Sequence, residues 1–141
     1  MSRIEFSSTK FLPYLPESCQ VNPGVYGFEL ASWLSLALAK VGFATRYPCS
    51  EEWGWYIEYL EDEAEFMIGC GCEAEEGEGY RGTPVAWHIM VMQNLSLRQC
   101  LRGVEVPDLD LQLTQAIVAA LRTEGIEPTC KEGGPAGAVL G

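Results

Sequence analysis

The stretch 53–72 constrains the fold more than any other part of the chain. Apolar side chains recur there at every second position, and three consecutive acids interrupt the pattern at 61–63. A period of two is typical of strands, and a short polar break between two such runs predicts a hairpin. We therefore expect strands over 53–60 and 64–72, joined by a tight acidic turn.

Two other stretches follow the spacing of helices. Apolar residues recur at intervals of three and four over 23–40 and again over 108–124, and each stretch is followed by a glycine, Gly42 and Gly125. Glycine is common at the position where a helix ends. We expect two long helices here and a further short helix over 97–103.

The remaining segments predict an α+β fold. Residues 85–93 are apolar on both sides, which favours a central strand, and 43–47 has the pattern of a short strand. Helix, sequential strands and helix in this order indicate an antiparallel β-meander of about four strands, with the two long helices packed on one face. The residues expected in the core are Trp33, Leu34, Trp55, Ile57, Ile117 and Leu121.

The length of 141 residues predicts a single domain over 1–141, and 48% hydrophobic residues are sufficient for a packed core. Prolines interrupt residues 1–21, so we expect an extended arm there, with room for a short strand at 4–6. Residues 126–130 could add an edge strand. The glycine-rich end, 131–141, has the composition of a flexible tail.

No continuous apolar run resembles an export signal or a membrane span. The most apolar stretch, 30–41, is interrupted by Ser32, Ser35 and Lys40. The six cysteines form an even set, which could indicate disulfides. Because no export signal is evident and the core needs no crosslinks, reduced thiols in a cytoplasmic protein are the favoured interpretation.

The net charge of −11 comes from one quarter of the chain. Eleven acids and no lysine or arginine lie between Tyr47 and Tyr80, whereas acids and bases balance elsewhere. Such a field repels nucleic acid and anionic lipid and attracts basic partners. An ordinary solvated face is the commoner explanation, and a face that binds a basic protein is the other. The candidate partner-binding residues are Glu58, Glu61, Asp62, Glu63, Glu73, Glu75, Glu76, Glu78 and Tyr80.

Cys70 and Cys72 are weak candidates for a metal site. Cysteines two apart on a strand project to the same side, and His88, the single histidine, lies in a neighbouring predicted strand. Cys49 could supply a fourth ligand. Structural zinc sites, however, use cysteine pairs in turns, and a second pair is missing here. We favour packing of the two cysteines in the core and expect no metal or cofactor.

No catalytic motif is recognisable, so we expect a non-catalytic protein. The chain contains no phosphate-binding loop, nucleophile elbow or zinc-protease signature. Glu51 and Glu52 beside Trp53 could form an acid pair against an aromatic wall, and His88 could activate a thiol. Exposed carboxylates before a strand and a histidine packed in a sheet are the more frequent explanations of these residues.

Three segments, FELASWLSLALAKVGF, SEEWGWYIEY and VAWHIMV, occur in this order. Over roughly 26–92 the chain resembles a group of small bacterial proteins with a helix ending in Gly-Phe, an acidic Trp-Gly-Trp strand and a later Trp-His strand. The resemblance implies a bacterial source and a compact α/β fold, and no mechanism. From the charge pattern we expect an acidic inhibitor or immunity-type protein that binds a basic partner. A crevice that binds a small cationic ligand is the alternative.

Overall fold

A computed structural model describes residues 2–11, 26–61, 64–73, 84–94 and 107–132. Within these ranges the chain forms six strands and two helices. In chain order they are β1 (Ser2–Ser8), α1 (Phe28–Lys40), β2 (Cys49–Glu51), β3 (Gly54–Glu61), β4 (Ala64–Cys72), β5 (Val85–Gln93), α2 (Pro107–Thr123) and β6 (Thr129–Glu132).

The strands form one antiparallel sheet in the order β2-β3-β4-β5-β1-β6. The α+β class and the antiparallel sheet with two helices agree with the sequence prediction. The expected number of about four strands is too small, because β1 and β6 extend the sheet beyond β5. If β5 were the edge strand, a long row of its backbone groups would lack hydrogen-bond partners, and β1 supplies these partners.

β1 has an internal position in the sheet. The sequence predicts an extended arm over 1–21 with room for a strand at 4–6, and the observed strand is longer. Ile4 is fully buried and is aligned with Ile89 of β5 and Cys130 of β6. The first residues of the chain are therefore part of the sheet, and 12–25 lies outside the described residues.

The predicted strand over 43–47 is wrong. The backbone N–H of Phe43 donates to the carbonyl of Leu38 at 2.9 Å, and the Phe43 ring packs on Tyr59 with centroids 5.5 Å apart. Phe43 is thus tied to the end of α1, while the backbone N–H of Arg46 donates to the carbonyl of Glu58 in β3 at 2.9 Å, and the segment forms no regular strand. The edge strand is β2, because a two-residue turn places Glu51 opposite Gly54. That turn also contains Trp53, which the sequence places in the following strand.

The strands predicted over 64–72 and 85–93 have the observed bounds of β4 and β5. The second helix differs from its predicted bounds by one residue at each end. α1 begins at Phe28, and Tyr26 and Gly27 precede it in a non-helical conformation. The earlier residues 23–25 lie outside the described chain, as do the predicted short helix over 97–103 and all but the first two residues of the predicted tail.

The hydrophobic core lies between the helices and one face of the sheet, which we call the inner face. α1 packs on β3 and β4, α2 packs on β5 and β1, and the two helices contact each other. Four predicted core residues, Leu34, Ile57, Ile117 and Leu121, are fully buried. Trp33 and Trp55 are only partly buried, at the margin of the core. Neither described helix has the length and apolar character needed to cross a bilayer.

Candidate functional site on the outer face of the sheet

The face opposite the core, which we call the outer face, carries several of the side chains that the sequence analysis singled out, among them Glu58 and His88. Side chains alternate between the two faces along each strand, so the register assigns each one. Two neighbouring rows of aligned outer-face residues cross β3, β4 and β5. One row consists of Glu58, Met67 and Met92, and the other of Tyr56, Gly69 and Met90.

Trp53 lies over this face, above Gly69. A Cβ atom on Gly69 would be 2.6 Å from Cη2 of the indole. Gly69 is buried, whereas 36% of Trp53 remains exposed. The turn between β2 and β3 therefore folds Trp53 back onto the sheet, and glycine leaves the space that the ring occupies.

His88 occupies a similar place above Gly71. A Cβ atom on Gly71 would be 2.7 Å from Nε2 of the imidazole. His88 is half-buried, and its Nδ1 has no hydrogen-bond partner among the described residues. Burial lowers the pKa of His88, as does the positive charge of Arg3, while Glu73 and Glu5 oppose the shift. The imidazole is accordingly neutral at pH 7.

The structure does not bring the weak metal candidates together. Cys70 is fully buried on the inner face, and burial raises the pKa of its thiol. Cys72 is on the same face, where its sulfur accepts a hydrogen bond from the backbone N–H of Tyr26 at 3.4 Å. His88 projects from the opposite face, and Cys49 is exposed at the edge strand. The described ranges contain no cluster of three or more potential metal ligands.

The structure describes three of the predicted partner-binding residues, and they lie on the β3–β4 hairpin or directly after it. Glu58 is partly exposed on the outer face, and Glu61 is exposed beside the turn. Glu73 is exposed after β4, at the other end, and pairs with Arg3 at 3.3 Å. The other candidates, Asp62, Glu63, Glu75, Glu76, Glu78 and Tyr80, lie outside the described residues.

Most described acids of the hairpin and of β2 lack a basic partner. Glu61 accepts a hydrogen bond from the Tyr59 hydroxyl at 3.5 Å, and Glu65 accepts one from the side-chain amide of Asn94 at 3.4 Å. In the part of the chain that the structure describes, no ion pair involves Glu51, Glu58, Glu61 or Glu65. Among the described residues, no basic side chain therefore neutralises these four carboxylates.

Four of the six described bases, Arg3, Lys10, Arg122 and Lys131, form ion pairs with acids outside the hairpin. These pairs are Arg3–Glu5 at 2.7 Å, Lys131–Glu5 at 3.1 Å, Lys10–Glu124 at 3.3 Å and Arg122–Glu127 at 3.0 Å. Hydrogen bonds from Arg3 and Lys131 lower the pKa of Glu5. The pKa of Tyr56 is raised; the largest cause is the charge interaction with Cys49, followed by burial and by the charge of Glu58. Apart from the Arg3–Glu73 pair, the charge separation seen along the sequence is retained among the described residues.

A groove of about 320 Å³ lies between α2 and β6. Its apolar lining includes Leu111, Val118 and Ala119, and its charged lining consists of two bases, Arg122 and Lys131. A cationic ligand needs carboxylates, so this groove does not fit the predicted alternative of a crevice for a small cation.

Sequence reasoning missed the apolar part of the outer face. Met67 and Met92 alternate with core residues along their strands, so the period of two was sufficient to predict that they lie on the outer face. The position of Trp53 beside these methionines could not be predicted from the sequence, because it depends on the turn that precedes β3.

Comparison of the chain with models of protein families, with curated proteins and with solved structures finds no match. The resemblance to the group of small bacterial proteins stays a prediction.

Proposed function

We propose that the protein is a non-catalytic interaction protein that binds a basic partner, in an inhibitor or immunity-type role. The binding element is the acidic hairpin, defined as β3 and β4 with Glu58, Glu61 and Glu65. The observation that carries the proposal is that these three carboxylates form no ion pair in the described chain, although most described bases are paired with other acids.

Like charges that are not neutralised within a fold repel one another and reduce its stability. Bases on a partner relieve this repulsion, so association is favoured where a protein of opposite charge is present. Complementary charge of this kind increases the association rate and selects the partner more than it increases affinity. Salt at about 0.15 M screens exposed charges beyond about 8 Å, so the interaction is expected to weaken as salt rises.

A cytoplasmic location is part of the proposal. The described cysteines, Cys49, Cys70, Cys72 and Cys130, are free thiols. Free thiols are the usual state of cysteine in a reducing compartment, which supports this location.

The test compares two variants of equal net charge in affinity capture from a lysate of the source organism. One is Glu58→Gln/Glu61→Gln/Glu65→Gln. The control is Asp108→Asn/Glu124→Gln/Glu127→Gln, which removes three acids from α2 and the chain after it. Each takes the net charge from −11 to −8.

We expect the wild-type protein and the control to recover the same basic protein, in amounts that fall as salt rises, and the hairpin variant to lose it. A second variant, with Glu73, Glu75, Glu76 and Glu78 changed to Lys, tests the acids at the other end of the hairpin. Equal recovery by all variants would mean that the acids form an ordinary solvated face, and the proposal would then be wrong.

A further inference from the structure

We propose that the partner binds through a basic amphipathic segment whose apolar side packs on the outer face of the sheet. The contact surface is a docking strip, defined as Trp53, Leu60, Met67 and Met92. This inference rests on the proposed function and adds the chemistry of the partner.

The docking strip is apolar on a face that the core does not use. Trp53 is 36% exposed and Leu60 39% exposed, and Met67 and Met92 are partly exposed. The inner-face residues that alternate with them, such as Ile68 and Val91, are fully buried. Antiparallel sheets with one face on the core normally carry polar residues on the other. Burial against the described residues therefore does not account for the apolar residues of the docking strip.

Carboxylates lie directly beside these apolar side chains. Glu58 is aligned with Met67, and Leu60 is aligned with Glu65. Side chains aligned on neighbouring strands are about 5 Å apart. A partner that covers the strip therefore also covers Glu58 and Glu65, which determines the charge that it must carry.

Neither a purely apolar nor a purely basic partner satisfies both features. An apolar surface would remove carboxylates from water with no compensating charge, which is strongly unfavourable. A hydrophilic basic segment would leave the methionines and the indole exposed. A segment with apolar residues on one side and Lys or Arg along its borders satisfies both, because its bases reach Glu58 and Glu65 while its apolar side covers the docking strip.

The residue types and dimensions suit a helical segment. Methionine is flexible and polarisable, so it adapts to different apolar surfaces. From Glu65 to Gly69, below Trp53, β4 advances by roughly 13 Å. A helix covers that length with about nine residues, since it rises 1.5 Å per residue. Two to three turns of an amphipathic helix therefore extend from Leu60 to the indole of Trp53.

The test uses synthetic peptides of Leu and Lys, about 14 residues long, and isothermal titration calorimetry. One peptide separates Leu and Lys onto opposite sides of a helix, a second has the same composition in shuffled order, and a third replaces Leu by Ser. We expect the amphipathic peptide to bind at least tenfold more tightly than the other two. We expect all three to bind more weakly as salt rises.

Two variants separate the apolar and the charged contributions. Met67→Gln/Met92→Gln is expected to weaken binding of the amphipathic peptide by tenfold or more and to leave the serine peptide unaffected. The matched control is Leu36→Gln, a change to an apolar residue that is 66% exposed on α1; it is expected to change binding less than twofold. Glu58→Gln/Glu65→Gln is expected to weaken all three peptides.

A measurement on the wild-type protein covers the case in which the methionine variant does not fold. The chain has four methionines, so methyl NMR of methionine-labelled protein gives few signals. The amphipathic peptide should shift Met67 and Met92. Met90, whose sulfur lies 3.9 Å from Nη1 of Arg3, should shift less.

The outcomes distinguish this inference from the proposed function. Equal binding of the amphipathic and shuffled peptides, with no shift at Met67 or Met92 and with loss in the glutamate variant, would overturn the docking strip and leave the acidic hairpin as the binding element. If no peptide binds at low salt, or if the glutamate variant binds every peptide like the wild type, both proposals are wrong.

Discussion

Gly27, the residue before α1, lies directly against the backbone of Cys70 in β4. A Cβ atom on Gly27 would be 2.5 Å from the carbonyl oxygen of Cys70, and the same oxygen would lie 2.5 Å from a Cβ atom on Gly54. The start of the helix and the start of β3 therefore approach one point of β4, and glycine at both positions permits this close approach.

Gly27→Ala is expected to destabilise the fold by about 2–3 kcal/mol, because the clash is with backbone and cannot be relieved by a side-chain rotation. Urea unfolding measures the change. The control is Gly125→Ala, where nothing lies within 4 Å of the new Cβ and only the φ of 77° opposes it. That strain costs about 1–2 kcal/mol. A loss for Gly27→Ala no larger than for the control would contradict the close contact.

Gly69→Ala is expected to have a smaller effect on stability, because the atom it meets is at the end of the Trp53 side chain. The indole should move off the sheet into water, which shifts its fluorescence emission to longer wavelength. A double-mutant cycle provides the control. In a Trp53→Ala background, Gly69→Ala should cost nothing through this contact, and a coupling of about 1 kcal/mol is expected. Equal costs in both backgrounds would show that Trp53 does not occupy this position.

Stability is expected to fall as the pH decreases below about 6.5, the ordinary value for His88. Burial lowers the pKa of His88 in the folded protein, so unfolding takes up a proton in this range and acid favours the unfolded state. His88→Gln should flatten the dependence of the unfolding free energy on pH between 7.5 and 5.5. Leu36→Gln is the control, because Leu36 is exposed on α1, on the other side of the sheet from His88, and its substitution should leave this pH dependence unchanged. An unchanged slope in His88→Gln would exclude a lowered pKa for this histidine.

Cys70 is expected to resist alkylation in the folded protein. The thiol is fully buried and burial raises its pKa, so the reactive thiolate is rare. Cys49 and Cys130 are exposed and should react with iodoacetamide at least tenfold faster. Peptide mass spectrometry after timed labelling measures each rate, and labelling in urea is the control that shows Cys70 can react. Rapid modification of Cys70 under native conditions would place it outside the core.

The strands β4 and β5 and the two helices follow from the sequence because hydrophobic periodicity is a local property. Which segments add to a sheet is not local. β1 and β6 come from parts of the chain that are far apart in sequence, and β1 pairs with β5 while β6 pairs with β1. The segment 43–47 has the composition of a strand, but Phe43 bonds to Leu38 at the end of α1 and its ring packs on Tyr59, so the segment does not form a regular ladder with β3.

The separation of charge was already present in the sequence, since no lysine or arginine lies between Tyr47 and Tyr80. Only the tertiary structure decided which of the described acids have a basic partner, because Arg3 is distant in sequence and yet pairs with Glu73. The tertiary structure also decided from which face of the sheet each side chain projects. The register that aligns Gly71 with His88 places the histidine opposite to Cys70 and Cys72. A shift of one residue would have put them on the same side, because side chains in a strand alternate with a period of two.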